Sequence, residues 1–332
     1  MSEKFSGKII NGKYRLVSLL GQGGMGEIYL AEQLDTEGRP LRQIALKMVS
    51  PQVSDDPDVS KRALQEMRIA ASLRNAHWVQ LFDVGRAEDG RHYFVMEIVR
   101  GVTLKEVLDR ERSLTVSRTV AIASQICEAL SEAHDSAHIV HRDLKPSNIF
   151  IEQREGHDFV KVGDFGIAKP LEENATSLTH TGQFVGTPRY MSPEQLSGNT
   201  VDGRADLYAL GCLLYEMLVG HPPFTGELVT LVSQHLNREP PQLPTALPPG
   251  IRQLVHQLLA KKPEDRPPDA LSVKRALEGA LVGFEDQYIR IVTETHSPPP
   301  QGVNSLSQNR PAPPPLDPTF IRLIFTFECP PS

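Results

Sequence analysis

The spacing of apolar residues changes near residue 100, and this change constrains the fold more than any other feature of the chain. From Tyr14 to Val102, short runs such as YRLVSLLG, GEIYLAEQL, RQIALKMV and HYFVMEIV have strand character and are separated by turns. From Thr103 onward, apolar residues recur mainly at helical spacing. The sequence therefore predicts an α+β fold with a small β-rich N-lobe and a larger α-helical C-lobe.

The same patterns place the boundaries of these units. We expect the N-lobe to cover about 14–100 and the C-lobe about 101–284, with a hinge near 97–101. Residues 1–13 form a lead-in. Residues 285–332 contain the proline-rich runs SPPP, PAPPP and PLDP, a composition typical of extended or disordered segments.

One helical segment is unusual because it is apolar on nearly all sides. It reads DLYALGCLLYEMLVG and begins at Asp206, and a pattern of this kind predicts a buried helix. The segment has about 15 residues, which is too short to span a bilayer, and no run approaches ~18 consecutive apolar residues. We therefore expect no membrane span.

Charge and cysteine content exclude several classes of function. A net charge of -6 and a pI of about 6.0 give no electrostatic basis for binding nucleic acid or an anionic membrane. Cys127, Cys212 and Cys329 lie far apart without metal-ligand spacing, so neither a disulfide framework nor a zinc site is expected. The N-terminal MSEKFSGKII lacks the apolar core of a signal peptide. These features predict a cytoplasmic protein.

A glycine cluster, GQGGMGEI at 21–28, joins two of the predicted strands and places Gly21, Gly23 and Gly26 in the pattern GxGxxG. Glycines let backbone N–H groups approach a polyphosphate closely. A strand rather than a helix follows, which excludes a dinucleotide fingerprint, and no lysine ends the segment as in GxxxxGK[ST]. Many hairpins are equally rich in glycine, so this pattern alone leaves a nucleotide loop and a simple turn open.

A lysine ends the otherwise apolar strand segment IALK at 44–47. Lys47 either extends to solvent or holds phosphate oxygens beneath the glycine cluster. The segment 55–74 changes to helical spacing and carries Glu66 on a face with apolar residues. A lysine on a buried side needs an anionic partner, and Glu66 is the best candidate. Taken alone, Glu66 would be a solvated helix charge.

Two polar segments, HRDLKPSN at 141–148 and VGDFG at 162–166, follow apolar residues in the C-lobe. Carboxylate and amide oxygens suit Mg²⁺, which takes its remaining ligands from phosphates and water. Asn148 and Asp164 would supply those oxygens. Asp143 would then accept a proton from an attacking hydroxyl. As isolated features, both segments would be only polar turns.

These motifs, in this order, resemble those of the eukaryotic-type protein kinase family. The resemblance covers about residues 14–280 and rests on GQGGMGEI, IALK, Glu66, HRDLKPSN, DFG, SPE (192–194), DLYALG (206–211) and Arg266. HRDLKPSN resembles the serine/threonine branch, and GTPRYMSPEQL looks most like bacterial members. The resemblance implies the bilobal kinase fold and transfer of the γ-phosphoryl group of ATP to serine or threonine hydroxyls of proteins in signal transduction.

The resemblance also implies a role for each matching residue. Asp143 would orient and deprotonate the substrate hydroxyl, and Lys145 would stabilise the transferred phosphoryl group. Lys47 would contact the α- and β-phosphates while paired with Glu66. The metal would be Mg²⁺, with Mn²⁺ as an alternative, and its ligands would be Asn148 and Asp164.

For the nucleotide, the resemblance implies three groups of contacts. The phosphates would be covered by Gly21, Gln22, Gly23, Gly24, Met25 and Gly26. Adenine would be sandwiched by Ile28, Ala45, Met96 and Phe150, and its edge would bond to backbone groups of Glu97 and Val99.

In the C-lobe, the resemblance implies that Glu194 and Arg266 form a buried ion pair and that Asp206 braces the catalytic loop. Ser147 stands where the family commonly has glutamate, and Phe150 is bulkier than the common leucine or methionine.

The segment between Gly166 and Ser192 is long, polar and rich in threonine. It is either a mobile surface loop or a regulatory one, in which a phosphothreonine pairs with Arg142. Thr179 and Thr181 have the TxT spacing of bacterial relatives and are the predicted phosphosites. The resemblance further implies a transient homodimer for autophosphorylation in trans.

Two other classes of function compete with an active protein kinase. The first is a non-catalytic scaffold with the same fold, which the intact Lys47, Asp143, Asn148 and Asp164 disfavour. The second is a kinase for small molecules, which the SPE and GTPRYM motifs disfavour. The sequence therefore predicts ATP and protein substrates as the binding partners.

Overall fold

The computed structural model describes residues 7–23, 26–50, 69–163 and 188–282. Within these residues the chain forms an antiparallel sheet followed by a mainly helical lobe that contains a second, smaller sheet. This confirms the predicted α+β fold with two lobes. Most of the helix predicted over 55–74, and all of the proline-rich segment 285–332, lie outside the described residues.

The N-lobe is a six-stranded antiparallel sheet. Its strands are β1 (Ile9–Ile10), β2 (Tyr14–Gly23), β3 (Gly26–Leu34), β4 (Pro40–Val49), β5 (Leu81–Arg86) and β6 (His92–Met96). The strand order is β1-β2-β3-β4-β6-β5. Successive side chains of a strand point to opposite faces. On β4, Leu46 and Met48 join one core cluster, while Ala45 and Val49 join another, and Lys47 shares the face of this second pair.

The strand predicted from HYFVMEIV is shorter than expected, because β6 ends at Met96 and an irregular linker follows. After the linker, a second sheet contains β7 (Val102–Thr103), β8 (Ile149–Arg154) and β9 (His157–Val162) in that order. Gly101 in the linker lies directly against β8, and a Cβ there would be 2.4 Å from the carbonyl oxygen of Ile151. Only glycine permits this approach.

The helices of the C-lobe pack around one buried member. The described helices are α1 (Leu104–Glu111), α2 (Val116–Ser131), α3 (Pro193–Leu196), α4 (Arg204–Val219), α5 (Leu228–Asn237), α6 (Pro249–Leu258) and α7 (Ala270–Ala280). Nearly every residue of α4 is buried, which confirms the prediction for this segment. Gly211 makes room for α6, since a Cβ there would be 2.8 Å from Cβ of Leu258. Across the described residues, none of the helices has the length and apolar character needed to cross a membrane.

The helical pattern predicted through His134 changes its geometry before that residue. The chain leaves α2 in a single π turn, Glu132–Ser136. Glu132 accepts hydrogen bonds from the N–H groups of Arg74 and Asn75, at 2.8 and 2.9 Å, and so fastens the N-lobe segment to the C-lobe. The π turn also directs His134 toward α4, which matters for the site described below.

The C-lobe contains the predicted buried ion pair between Glu194 and Arg266. Arg266 donates two hydrogen bonds to the carboxylate of Glu194, at 2.7 and 2.9 Å, and both side chains are buried. The bidentate geometry matches the planar guanidinium to the carboxylate. The pair joins α3, which begins just after the threonine-rich segment, to the connection between α6 and α7.

Candidate active site

The loop HRDLKPSN lies between the π turn and β8, and its backbone is held by the buried helix α4. Asp206 on α4 accepts the N–H groups of His141 and Arg142, at 2.7 and 2.8 Å. Arg142 has φ 64°, a left-handed conformation that costs energy in a non-glycine residue. The two hydrogen bonds to Asp206 stabilise this conformation, as the predicted bracing role requires.

Asp206 remains charged although it is buried. Burial alone would raise the pKa of its carboxyl, but the hydrogen bond and charge of His134, together with the backbone N–H of His141, lower that pKa below its ordinary value. Nε2–H of His134 donates to Oδ2 of Asp206 at 2.8 Å. Sequence reasoning placed His134 only on a helical face, because its partner lies 72 residues away.

Two polar side chains of the loop, those of Lys145 and Asn148, converge on the carboxylate of Asp143. Nζ of Lys145 lies 2.8 Å from Oδ2 of Asp143. The amide nitrogen of Asn148 donates to the carbonyl oxygen of Asp143 at 2.8 Å and to its Oδ2 at 3.1 Å. This orientation makes Oδ1 of the buried Asn148 the atom that the amide can offer to a cation. The acid, the cation and the amide that the sequence analysis singled out are therefore adjacent.

The fully buried His141 links this loop to the end of β9. Asp143 donates its N–H to Nδ1 of His141 at 3.3 Å, so Nε2 carries the ring proton and donates to the carbonyl of Gly163 at 3.0 Å. The imidazole is stacked on Trp78, with ring centroids 6.0 Å apart and an interplanar angle of 13°. Gly163 is the residue before Asp164, so the two polar segments are connected through one histidine.

An apolar cluster of side chains from both lobes, called the slot below, lies beside this loop. The four residues predicted to sandwich adenine pack in one cluster, which contains Ile28, Ala45, Val49, Phe94, Met96, Val99 and Phe150. The Phe150 ring has room in this cluster because Gly163 has no side chain. A Cβ on Gly163 would be 2.8 Å from the Phe150 ring. The structure therefore accommodates the bulkier residue at this position by a glycine directly after the neighbouring strand β9.

The linker forms the edge of the slot and is fixed by hydrogen bonds. Glu97 donates its backbone N–H to the carbonyl of Gln80 at 3.0 Å. The carboxylate of Glu97 lies 2.5 Å from Nζ of Lys161 on β9. At the other end of the linker, Arg100 donates its N–H to Glu152 on β8 at 2.9 Å. Lys161 was not among the predicted site residues, and no local pattern in the sequence distinguishes it.

The described glycines of the GxGxxG pattern belong to the strands themselves. Gly21 pairs with Ile28, and Gly23 pairs with Gly26, in the ladder between β2 and β3. Gly26 has φ 136°, and a Cβ there would be 1.9 Å from the carbonyl oxygen of Met48. Glycine is therefore required at position 26 for packing against β4, independently of any ligand.

Lys47 lies on β4 opposite Ile28 of β3 and Phe94 of β6. Its strand face is the one that carries Ala45. This position places the lysine on the same side of the sheet as the apolar slot. Contact of Lys47 with the phosphates of a nucleotide remains a prediction.

Several predicted site residues lie outside the described residues, and the predictions made for them stand untested. They are Gly24, Met25, Glu66, Asp164, Thr179 and Thr181. The pairing of Lys47 with Glu66 and the pairing of Asn148 with Asp164 at a metal therefore remain predictions.

The donor groups present at Asn148 fit a hard divalent cation. Within 7–23, 26–50, 69–163 and 188–282, no group of three or more His, Cys, Asp or Glu side chains could hold a metal ion. Mg²⁺ does not need such a group, because it takes several ligands from phosphates and water. One buried amide oxygen beside the Asp143 carboxylate suits this mode of binding.

Comparison with known proteins gives consistent results. The family described as "Protein kinase domain" matches residues 14–278. The serine/threonine-protein kinase pkn3 of Myxococcus xanthus is 40% identical over 286 residues, which are 83% of this chain and 51% of that protein. The serine/threonine-protein kinase PknH of Mycobacterium tuberculosis is 42% identical over 275 residues, 81% of this chain and 42% of that protein. The chain thus spans about half the length of the curated relatives it matches.

A solved structure supports the same relationship. The crystal structure of the PknI kinase domain of Mycobacterium tuberculosis is 28% identical to this chain and superimposes with a TM-score of 0.64. The match covers 84% of this chain and 99% of that one. The two lobes described above therefore correspond to a complete solved kinase domain.

Proposed function

The chain belongs to the protein kinase family, in its bacterial serine/threonine branch, and we propose that it transfers the γ-phosphoryl group of ATP to serine and threonine hydroxyls of proteins. The observation that carries this proposal is the convergence of Lys145 and Asn148 on the carboxylate of Asp143. A loop clamped through its backbone by Asp206 holds this arrangement in place. Phosphoryl transfer depends mainly on positioning and charge neutralisation, which such an arrangement supplies.

In this proposal each side chain of the loop has one task. Asp143 orients the substrate hydroxyl and accepts its proton as the hydroxyl oxygen bonds to the γ-phosphorus and the bond to the β–γ bridging oxygen breaks. ADP leaves with that bridging oxygen. Lys145, already beside Asp143, offsets the negative charge of the transferred group.

The family uses a divalent metal, and we propose Mg²⁺, with Mn²⁺ as the alternative. Oδ1 of Asn148 would be one ligand, and Asp164 would be the other from this chain. When bound, the ion neutralises phosphate charge and aligns the γ-phosphoryl group. The buried amide of Asn148, with its nitrogen engaged twice by Asp143, supports this assignment.

The proposed nucleotide site consists of the slot, the linker and the adjoining strands of the N-lobe sheet. Adenine would lie among Ile28, Ala45, Met96 and Phe150, with backbone groups of Glu97 and Val99 at its edge. The segment Gly21 to Gly26 would cover the phosphates. Lys47 would hold the α- and β-phosphates and pair with Glu66.

ATP should stabilise the protein much more with Mg²⁺ than without it, because the metal offsets the phosphate charge that Asn148 and Asp164 would otherwise face. At about 100 times the Kd, Mg²⁺-ATP should add about 2.7 kcal/mol to the free energy of unfolding. Thermal shifts measured with ATP, with and without Mg²⁺, test this expectation.

Adenosine is the matched control for this measurement, because it fills the same slot without phosphates and its shift should not depend on Mg²⁺. Replacing Asn148 with alanine should reduce the effect of Mg²⁺ on the ATP shift. Equal stabilisation by ATP in the presence and absence of Mg²⁺ would contradict the proposed metal site.

An assay of ATP turnover and protein labelling, run with and without a protein acceptor, separates the two competing functions from a protein kinase. A scaffold would bind nucleotide without turnover, and the assembled Asp143, Lys145 and Asn148 argue against it. A small-molecule kinase would leave proteins unlabelled. The protein substrates, the cytoplasmic location and the absence of nucleic-acid partners remain our proposals.

We also propose that the kinase phosphorylates its own threonine-rich segment, at Thr179 or Thr181, through a transient homodimer. The segment leads into α3, and Gln195 on α3 donates to the carbonyl of Arg142 at 3.0 Å. The helix that follows the segment is thus hydrogen-bonded to the residue next to Asp143. A phosphothreonine upstream could form charge-assisted hydrogen bonds with Arg142 and order the segment.

Mass spectrometry should therefore detect phosphate on Thr179 or Thr181 in the purified wild type and none in Asp143→Asn. Replacing both threonines with alanine should lower kcat for a protein substrate by at least about tenfold, since the segment would lose its ordering charge. Thr225, an exposed threonine near α5, is a suitable control for substitution. Full activity of the double alanine variant would rule out the switch and leave the assignment as a kinase intact.

A further inference from the structure

Strand β9 carries a lysine that is almost completely buried. Lys161 is only 5% exposed, and its Nζ lies 2.5 Å from Oε1 of Glu97 and 3.1 Å from the carbonyl oxygen of Trp78. Burying an ammonium is costly unless it is paired and hydrogen-bonded. Lys161 meets this condition by reaching from the C-lobe sheet to the linker between the lobes.

Glu97 is held by more than this lysine. Its Oε1 also accepts the N–H of Gln80 at 2.8 Å, and its own N–H donates to the carbonyl of Gln80 at 3.0 Å. The side chain and the backbone of Glu97 are therefore tied to the same neighbouring residue. Lys161 holds the same carboxylate from β9, so the peptide unit at Glu97 has a fixed orientation.

The position of Lys161 on β9 connects this arrangement with the slot. Lys161 pairs across the sheet with Phe150, which forms one wall of the slot. Met96, another wall, is the residue immediately before Glu97. The paired strands β8 and β9 thus place the apolar wall at Phe150 beside the lysine that holds the polar edge against which a purine would lie.

We propose that Lys161 and Glu97 form a positioning pair that fixes the edge of the slot and makes the kinase prefer adenine over guanine nucleotides. This inference rests on the proposed function, in which backbone groups of Glu97 and Val99 face the purine edge. Because the N–H of Glu97 is donated to Gln80, the backbone group that Glu97 can offer is its carbonyl oxygen. Adenine presents an amino donor at its 6-position and guanine presents a carbonyl acceptor, so a rigid acceptor favours the first base and repels the second.

The test compares the binding of Mg²⁺-ATP and Mg²⁺-GTP to the wild type and to Lys161→Met by calorimetry, together with kcat and KM for ATP. Loss of the ammonium leaves the half-buried carboxylate of Glu97 without its cation, and the linker should move. We expect Kd and KM for ATP to rise about tenfold and the ATP preference over GTP to fall about tenfold, with a smaller change in kcat.

Lys274→Met is the matched control, because Lys274 on α7 also forms an ion pair, at 2.7 Å to Glu128, but lies far from the slot in the C-lobe. This variant should keep the wild-type preference for ATP. If Lys161→Met does not fold, Glu97→Gln gives the same measurement, since the amide weakens the contact with Lys161 while still accepting the N–H of Gln80.

The outcomes separate the inference from the proposed function. A wild type that binds ATP, together with Lys161 and Glu97 variants that keep its Kd and its ATP preference, would overturn the positioning role. A wild type that binds neither nucleotide would overturn the proposed function itself. A loss of thermal stability in Lys161→Met with unchanged nucleotide preference would likewise reduce the pair to a structural contact and contradict the inference.

Discussion

Replacing Asp143 with asparagine should lower kcat by about 10²- to 10⁴-fold, the range typical for loss of a general base. The amide cannot accept the hydroxyl proton at neutral pH, and it cannot offset the charge of Lys145, which lies 2.8 Å from the carboxylate. Initial rates of protein phosphorylation at saturating Mg²⁺-ATP measure this effect.

The fold should survive this substitution. Asparagine has nearly the shape of aspartate, and its side-chain oxygen can still accept the hydrogen bond from Asn148. The backbone clamp from Asp206 does not involve the side chain of residue 143. The unfolding midpoint and the Kd for Mg²⁺-ATP should therefore stay close to those of the wild type.

Asp109→Asn is the matched control for this prediction. Asp109 is an exposed acid on α1 that also pairs with a lysine, Lys105, at 2.9 Å, but it lies away from the loop. Its substitution should leave kcat unchanged. Near-normal turnover by Asp143→Asn would show that another group accepts the proton.

The second large effect concerns stability. Replacing Arg266 with methionine should lower the free energy of unfolding by about 3–5 kcal/mol, the cost typical of breaking a buried ion pair by removing one partner. Arg266 holds Glu194 through two hydrogen bonds. It also donates to three carbonyl oxygens, those of Ala260, Arg204 and Lys261, at 2.8, 2.9 and 3.1 Å.

Two further variants show where this energy comes from. Arg266→Met combined with Glu194→Gln should recover part of the lost stability, because no unpaired charge then remains buried. Lys105→Met, which breaks an exposed pair, should change the denaturation midpoint little. If Arg266→Met unfolds at the same denaturant concentration as Lys105→Met, the pair does not stabilise the lobe.

The main division of the fold could be predicted because it depends on local periodicity. The strands around the glycine cluster and the fully apolar helix α4 each have a spacing that a short window of sequence shows. The sheet formed by β7, β8 and β9 was missed as a unit. Its first strand, β7, comes from a segment about 50 residues before β8, and pairing at that range leaves no local pattern, whereas β8 and β9 form a local hairpin.

The residues of the candidate site also differ in how far a local sequence pattern could predict them. Asp143, Lys145 and Asn148 lie within six positions of one another, so their chemistry was visible in one motif. Lys161 was missed, since a lysine within a strand usually faces solvent and its partner Glu97 is 64 residues away. His134 was missed as a partner of Asp206 for the same reason. The contacts of Arg266 and Asp206 were predicted only through the family resemblance, because burial of a charge depends on the completed fold.

The transfer of phosphate itself tests the central claim most directly. The wild-type protein is incubated with Mg²⁺ and ATP labelled at the γ-phosphorus, together with a mixed protein acceptor, and ADP and phosphoamino acids are quantified. We predict that label enters serine and threonine of the acceptor in an amount equal to the ADP formed, and that Asp143→Asn lowers the rate of both by about 10²- to 10⁴-fold. ADP formation with only free phosphate, or label in a small molecule but not in protein, would contradict the assignment as a protein kinase.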